Sequence, residues 1–201
     1  VLDSSGLNMT AADNLPQLTL VSTDTDSSIG PILDLKRNPN EAGADSDFLG
    51  QIFFTGHNDA GTPEDIIYAK LVSQIVDASD GTEDATMVAS IMKGGTRKDM
   101  LRLGPTEGVF NEGGEDIDFR VESDGNANML FVDAGNNRVG IGGNGPDCLV
   151  EMTGAHTSSI GMLHLDSTDH AFISLDAAGA SNDKGIYFQE AGTSVAVIDH
   201  D

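Results

Sequence analysis

Tryptophan is absent from the 201 residues, tyrosine occurs twice, and aromatics make up 5% of the chain. So few rings leave little material for a thick single-chain core, and they argue against a cleft built to stack sugars. Cys148 is the sole cysteine, so no intrachain disulfide can form. Stability outside a cell would have to come from elsewhere, with oligomerisation the first candidate. Basic residues number 10 against 33 acidic ones, a formal charge of −23. That balance repels nucleic-acid phosphates and anionic lipid, so neither class of partner is expected. It also favours solubility and tolerance of salt. No apolar run reaches about 18 residues, and no leader of basic, then apolar, then small residues is present; neither a membrane span nor a signal peptide is expected. The chain starts at Val1 rather than Met, which reads as a processed or partial chain.

What the chain does contain is 24 glycines and short runs of Val, Ile, Leu and Met, the pattern of many short strands joined by turns. From Asp116 the alternation is clear: Ile117, Phe119 and Val121 fall on one face and Asp118, Arg120 and Glu122 on the other. The turn-prone run Ser123-Asp-Gly-Asn-Ala-Asn128 precedes a second strand at Met129-Leu-Phe-Val132, and Ala134-Gly-Asn-Asn137 precedes a third at Arg138-Val-Gly-Ile141. Together these make a small meander. Upstream, Tyr68–Val76 and Thr86–Met92 flank Asp77-Ala-Ser-Asp-Gly-Thr-Glu-Asp84 as a longer hairpin. Its first arm is open to a helical reading, but its apolar residues scatter round a helical wheel, while Ile67, Ala69, Leu71 and Ile75 share one strand face. Strand is the expectation.

The two ends of the chain repeat one another imperfectly. Leu18-Thr-Leu-Val-Ser-Thr-Asp24 matches Leu163-His-Leu-Asp-Ser-Thr-Asp169, Ile32-Leu-Asp34 loosely matches Ile173-Ser-Leu-Asp176, and Gln51-Ile-Phe-Phe54 matches Gly185-Ile-Tyr-Phe188. The order is kept and the spacing differs, as for one strand-rich module occurring twice.

Between the copies lies RVGIGGNGPDCLV, residues 138–150, which fits two functional patterns at once. Gly140, Gly142 and Gly145 satisfy G-x-G-x-x-G, a dinucleotide fingerprint, with Asp166 at a superficially suitable distance for a ribose contact. The fingerprint needs a following helix, and Gly154, Thr157, Ser158 and Ser159 break one. Gly142–Val150 also satisfies the calcium-binding β-roll nonapeptide, with Asp147 at the metal position and Leu149 as the buried apolar residue. A single copy cannot complete that oxygen cage. Both matches read as accidents, and the glycines as a joint: Val139–Ile141 end the meander, and Gly142–Pro146 redirect the chain into the second module.

No catalytic, cofactor-binding or metal residue is expected. Asp24, Asp26, Asp45, Asp47, Asp80 and Asp84 crowd turn-like segments, leaving structural calcium as the one metal reading open, but none has EF-hand spacing and so acidic a chain forms such clusters by chance. His164 and His170 could approach one another, and in a trimer one axial His supplies three ligands. With no tight His pair, surface or packing roles are expected, and His57, in Gly56–Gly61, reads as a loop residue. Paired carboxylates for glycoside cleavage are uninformative among 33 acids, and no nucleophile elbow, H-E-x-x-H or phosphate loop is present. Asn8-Met-Thr10 is a formal glycosylation sequon.

Meanders with few aromatics and no helix to cover a sheet face leave open edges and half-buried apolar faces, which wrapping identical chains round one axis would resolve. The run Asp118-Phe-Arg-Val-Glu-Ser-Asp-Gly-Asn-Ala-Asn-Met-Leu-Phe-Val-Asp133, with Gly135-Asn-Asn-Arg-Val-Gly-Ile-Gly142, resembles a segment of tail-fibre and related structural proteins of tailed bacteriophages, marine ones especially. Leu49–Gly61, Tyr68–Leu71 and Asp80–Asp84 resemble further segments, so the likeness touches most of residues 15–200. Where that family continues T-x-S-P-x-x-x-L-x-V, this chain keeps Pro146 and Leu149 and lacks the Thr and Ser.

The resemblance implies an all-β, elongated fold of short-stranded meander modules intertwined in a homotrimeric fibre. It implies a place in the virion, with other virion proteins and host surface polysaccharide as partners. Ile117, Phe119, Val121, Leu130, Phe131 and Val132 would be buried between the chains. The expected divisions are a lead-in 1–14, a first module 15–110 containing the hairpin 68–92, a spacer meander 111–146, and a second module 147–201 that runs off the C-terminal end. The alternatives are a bacterial surface adhesin carrying the same repeat, a tailspike-like polysaccharide depolymerase, and a capsid decoration.

Overall fold

A computed structural model of the chain describes residues 6–7, 9–37, 41–154, 163, 173, 184–190 and 193–200. Every regular element among them is a β-strand, so the fold is all-β. No helix of the described residues is long and apolar enough to cross a membrane. Two compact units are formed, Val1–Phe119 with Ala134–Asn136, and Arg120–Asp133 with Asn137–Asp201.

The first unit carries β1 (Phe48–His57), β2 (Asp65–Asp77), β3 (Asp84–Lys93), β4 (Thr96–Leu103) and β5 (Gly108–Phe110). They lie side by side in chain order, each antiparallel to the next, as one meander. The segment Tyr68–Val76, which a helix could also have claimed, lies wholly within β2. With 13 residues, β2 is longer than the short strands expected. Turn chemistry sets the register. Lys93 and Thr96 pair across a two-residue loop in which Gly94 and Gly95 both have positive φ, +56° and +77°, the geometry whose twist suits a hairpin. Between β2 and β3, the Asp77 carboxylate accepts the Ser79 N–H at 2.8 Å, and Gly81 takes φ +85°. The Ser79 side-chain hydrogen bond, then its N–H, holds the Asp77 carboxyl below the ordinary carboxylate range.

β6 (Phe119–Val121), whose first residue closes the first unit, joins β7 (Leu130–Asp133), β8 (Arg138–Ile141) and β9 (Val150–Met152) of the second in one four-stranded sheet, ordered as in the chain. The expected β6 strand from Asp116 is shorter: Asn111, at φ 64°, draws the preceding segment into a turn by donating its side-chain amide to Glu115 O and accepting the Glu115 N–H. Asn137, at φ 56°, closes the β7–β8 turn. Val150–Met152, read from sequence as part of the second module, instead return to this sheet and pair in parallel with β8 as Val139↔Val150, Gly140↔Glu151 and Ile141↔Met152. A parallel return usually needs a dozen or more linking residues. Here residues 142–149 suffice because each strand is only three or four residues long. The Arg138 guanidinium donates to Pro146 O at 2.7 Å and fixes the loop from inside.

A two-stranded sheet, β10 (Lys184–Glu190) with β11 (Thr193–His200), completes the described strands. Its backbone repeats β1–β2 in one telling detail. In the first hairpin the register slips directly after Phe54↔Ala69, and in the second directly after Phe188↔Ala196. Phe54 and Phe188 are the residues that the internal sequence repeat aligns.

Candidate interaction surface

Residues directly opposed in an antiparallel pair share a face, so the register sorts the side chains of the first sheet. Leu71 opposes Ile52 on one side and Ala89 on the other, and Ala89 opposes Leu101, which opposes Phe110. The neighbouring ranks add Phe54, Ala69 and Ile91, then Met87 and Leu103. This face is therefore largely apolar, with Ser73 opposite Met87 and Lys98 opposite Ile91 as its polar members. Of the four residues grouped from alternation, Ala69, Leu71 and Ile75 belong to it, and Ile67, beyond the register slip after Phe54, opposes Thr55 instead. Its large side chains nevertheless stay exposed, Phe54 at 56% and Phe110 at 60%.

The opposite face is mixed. Val72 opposes Gln51 and Val88, Lys70 opposes Phe53 and Ser90, and Ser90 opposes Asp99. The best-buried groups of the sheet lie here, Val72 at 7% exposed and Ser90 at 1%, with Thr86. A cavity of about 210 Å³ on this side is bounded by Phe48, Lys70, Gln74, Val88 and Asp99 among others. Both buried hydroxyls are satisfied: Ser90 Oγ donates to Asp99 Oδ1 at 2.7 Å, and Thr86 Oγ1 donates to Leu103 O at 3.0 Å. Polar groups thus find their partners within the chain while the apolar face does not, the reverse of an ordinary half-buried sheet.

Described segments reach this face at its margins, with Phe119 on Phe110 and Gly43 beside Ile75, and at one place within it. Leu35 lies over Gly50, where an added Cβ would come within 3.0 Å of the Leu35 Cβ. With Ile52, Leu71 and Met87 it lines a groove of about 170 Å³. Arg37 anchors the entry, pairing with Asp47 at 2.9 Å and donating to Phe48 O at 3.2 Å. Before Leu35, residues 15–33 are exposed throughout and make no backbone-to-backbone hydrogen bond among the described residues. They carry Leu15, Leu18, Leu20, Val21, Ile29, Ile32 and Leu33, all large, apolar and uncovered.

The residues singled out from sequence fall elsewhere. Gly140 and Gly142 are demanded by close backbone approach: a Cβ at Gly140 would meet Gly143 O at 2.3 Å, and one at Gly142, where φ is +86°, would meet Thr153 O at 2.0 Å. Gly145 has open space around it. Strand β9 rather than a helix follows the glycines, and Leu149, the buried residue of the calcium pattern, is 73% exposed. The turn acids serve the backbone. Asp24 accepts the Asp26 N–H, Asp26 the Ser28 N–H, Asp45 the Ala78 N–H and Asp47 the Ala44 N–H. Asp84 opens β3 opposite Asp77. No group of three or more His, Cys, Asp or Glu able to hold a metal ion occurs among the described residues.

His57 is the last residue of β1 rather than a loop residue, because its cross-strand partner Asp65 sits 3.0 Å from its Nε2 and prolongs the pairing. His164, His170, Asp166 and Asn8 lie outside the described residues. Of the meander side chains expected between chains, Phe131 is already buried at 8% within the single chain, while its neighbours Leu130 and Val132 are half-buried and Val121 is exposed. Phe119 packs on Phe110 in the first unit, ring centroids 4.9 Å apart. Sequence reasoning missed the larger surface on β3, β4 and β5. Its signal was there in Met87-Val-Ala-Ser-Ile91 and Leu101-Arg-Leu103, where alternate positions are apolar.

The chain matches no protein-family model and no curated protein.

Proposed function

We propose that the protein is a non-enzymatic structural component of a bacteriophage tail fibre or virion appendage, assembled as a homotrimer, that positions or mediates adhesion to the host surface. The observation that carries this reading is the uncovered apolar face of the first sheet. A contiguous exposed apolar patch of that kind on a soluble chain marks an association surface. The likeness of residues 118–142 to phage fibre segments supports a fibre as that assembly. The charge of −23 supports the same reading, since a shaft of identical acidic chains stays soluble and resists lateral aggregation once its apolar faces are covered. Its work would be mechanical, and repeated weak host contacts along identical chains would gain strength through avidity.

Gold-labelled antibody against this chain, applied to intact phage particles and bacterial cells that express it, tests the reading. Label along a tail appendage is the expected result. Label confined to the capsid would replace it with a decoration protein, and label found only on bacterial cells with a surface adhesin. Release of oligosaccharide from host capsule by the purified protein would overturn the non-enzymatic part.

A further inference from the structure

We propose that segment 15–33 of one copy lies across the apolar face of the first sheet of the next copy, closing a ring of three. The inference rests on the homotrimeric reading and names the two surfaces that make the contact.

The face and the segment are complementary: the segment has no backbone pairing among the described residues, and the face stays largely exposed beyond the contacts of Phe119 with Phe110 and of Leu35 with its groove. On the sheet, Phe54, Met87, Ile91, Leu103 and Phe110 are exposed on one side of adjacent strands. On the segment, seven large apolar side chains stand in a stretch with no backbone pairing among the described residues. The mode of contact already exists in miniature, because Leu35, at the C-terminal end of the same stretch, sits in the groove between Ile52, Leu71 and Met87. With Arg37 tied to Asp47 and Phe48 O, that end is fixed on its home sheet. Residues 15–33 would span roughly 60 Å if extended, ample to double back over a five-stranded sheet about 20 Å wide. They do not take that route and remain exposed.

Area and symmetry choose the occupant. Five strands overlapping for about six residues present about 500 Å², short of the roughly 800 Å² per partner of a stable interface. Packing one face on its twin therefore falls short, whereas in a head-to-tail ring each chain offers its face to one neighbour and its segment to the other and so makes two such contacts. Contact between two different surfaces is also head to tail, which closes into a ring where the rotation between copies allows and is compatible with three, whereas face on identical face yields a two-fold dimer.

The test uses the full chain with Leu20 replaced by the photoreactive p-benzoylphenylalanine, an exposed position where the change leaves folding intact. Chains carrying the probe are made in normal isotopes, mixed with unlabelled-probe chains in heavy isotopes during assembly, sedimented and then irradiated. The expected result is a trimer with light-to-heavy cross-links mapping to β3, β4 and β5. The paired change Leu18→Ser with Leu20→Ser, free of the probe, should raise the concentration at which the trimer dissociates by at least ~tenfold. A trimer whose cross-links are all within one chain, or that map away from this face, overturns the inference and leaves the trimer standing. A species that sediments as a monomer overturns both.

Discussion

In the first unit, four strands of 8 to 13 residues and one of three hold register through long ladders and tight turns, yet leave one face largely bare. In the four-stranded sheet of the second, strands of three or four residues are placed by backbone groups in near contact, and Phe131 is buried. The contrast separates two sources of order. Long strands tolerate an unfinished core because many backbone pairs share the load, and they can wait for a partner to cover them. Short strands gain little from pairing and depend on particular residues that permit close approach.

The sharpest way to break the second arrangement is Gly142→Ala. The new Cβ would overlap Thr153 O and force φ +86° on a residue with a side chain, so β8 and β9 should separate at a cost of about 4 kcal/mol. Hydrogen exchange should then lose protection over residues 138–153 and keep it over β1–β4. Unchanged exchange would mean that the glycine is not a packing requirement. Phe131→Ala comes next, with a loss of about 3 kcal/mol read from urea unfolding of the same unit.

Ser90→Ala probes the first unit and should cost about 1 kcal/mol, because the exposed Asp99 carboxylate can turn to water once its donor is gone. A loss as large as that from Gly142→Ala would erase the contrast between the units. The smallest effect is pH-dependent. The Lys98 ammonium, hydrogen-bonded to Glu115, holds that carboxyl below its ordinary 4.5. A depressed folded pKa stabilises above the unfolded value and is lost as pH falls through the folded one. Stability of the first unit should therefore decline slightly below pH 4.5, and Lys98→Met should remove that part of the decline.

The same contrast explains what could be read in advance. Alternation in Tyr68–Val76 and in Phe119–Val121 identifies strands, because side-chain period alone decides that. The turns at Asp77–Asp84 and Ala134–Asn137 are legible from residues that accept positive φ or hydrogen-bond their own backbone. The return of Val150–Met152 to β8 was not legible, since parallel pairing after eight residues depends on contacts among Gly142, Gly143 and Thr153 that no local pattern encodes. The candidate surface was half legible. Ala69, Leu71 and Ile75 were on the page as one face, but joining them to Met87, Ile91, Leu101 and Phe110 requires the register of four strand pairs.

The claim at the centre of this account is that the bare face is completed by further copies of the same chain. Sedimentation equilibrium of the full chain at micromolar concentration tests it most directly. The account predicts a single species of three 21.0 kDa chains, and a stable 21.0 kDa monomer across the same range would contradict it.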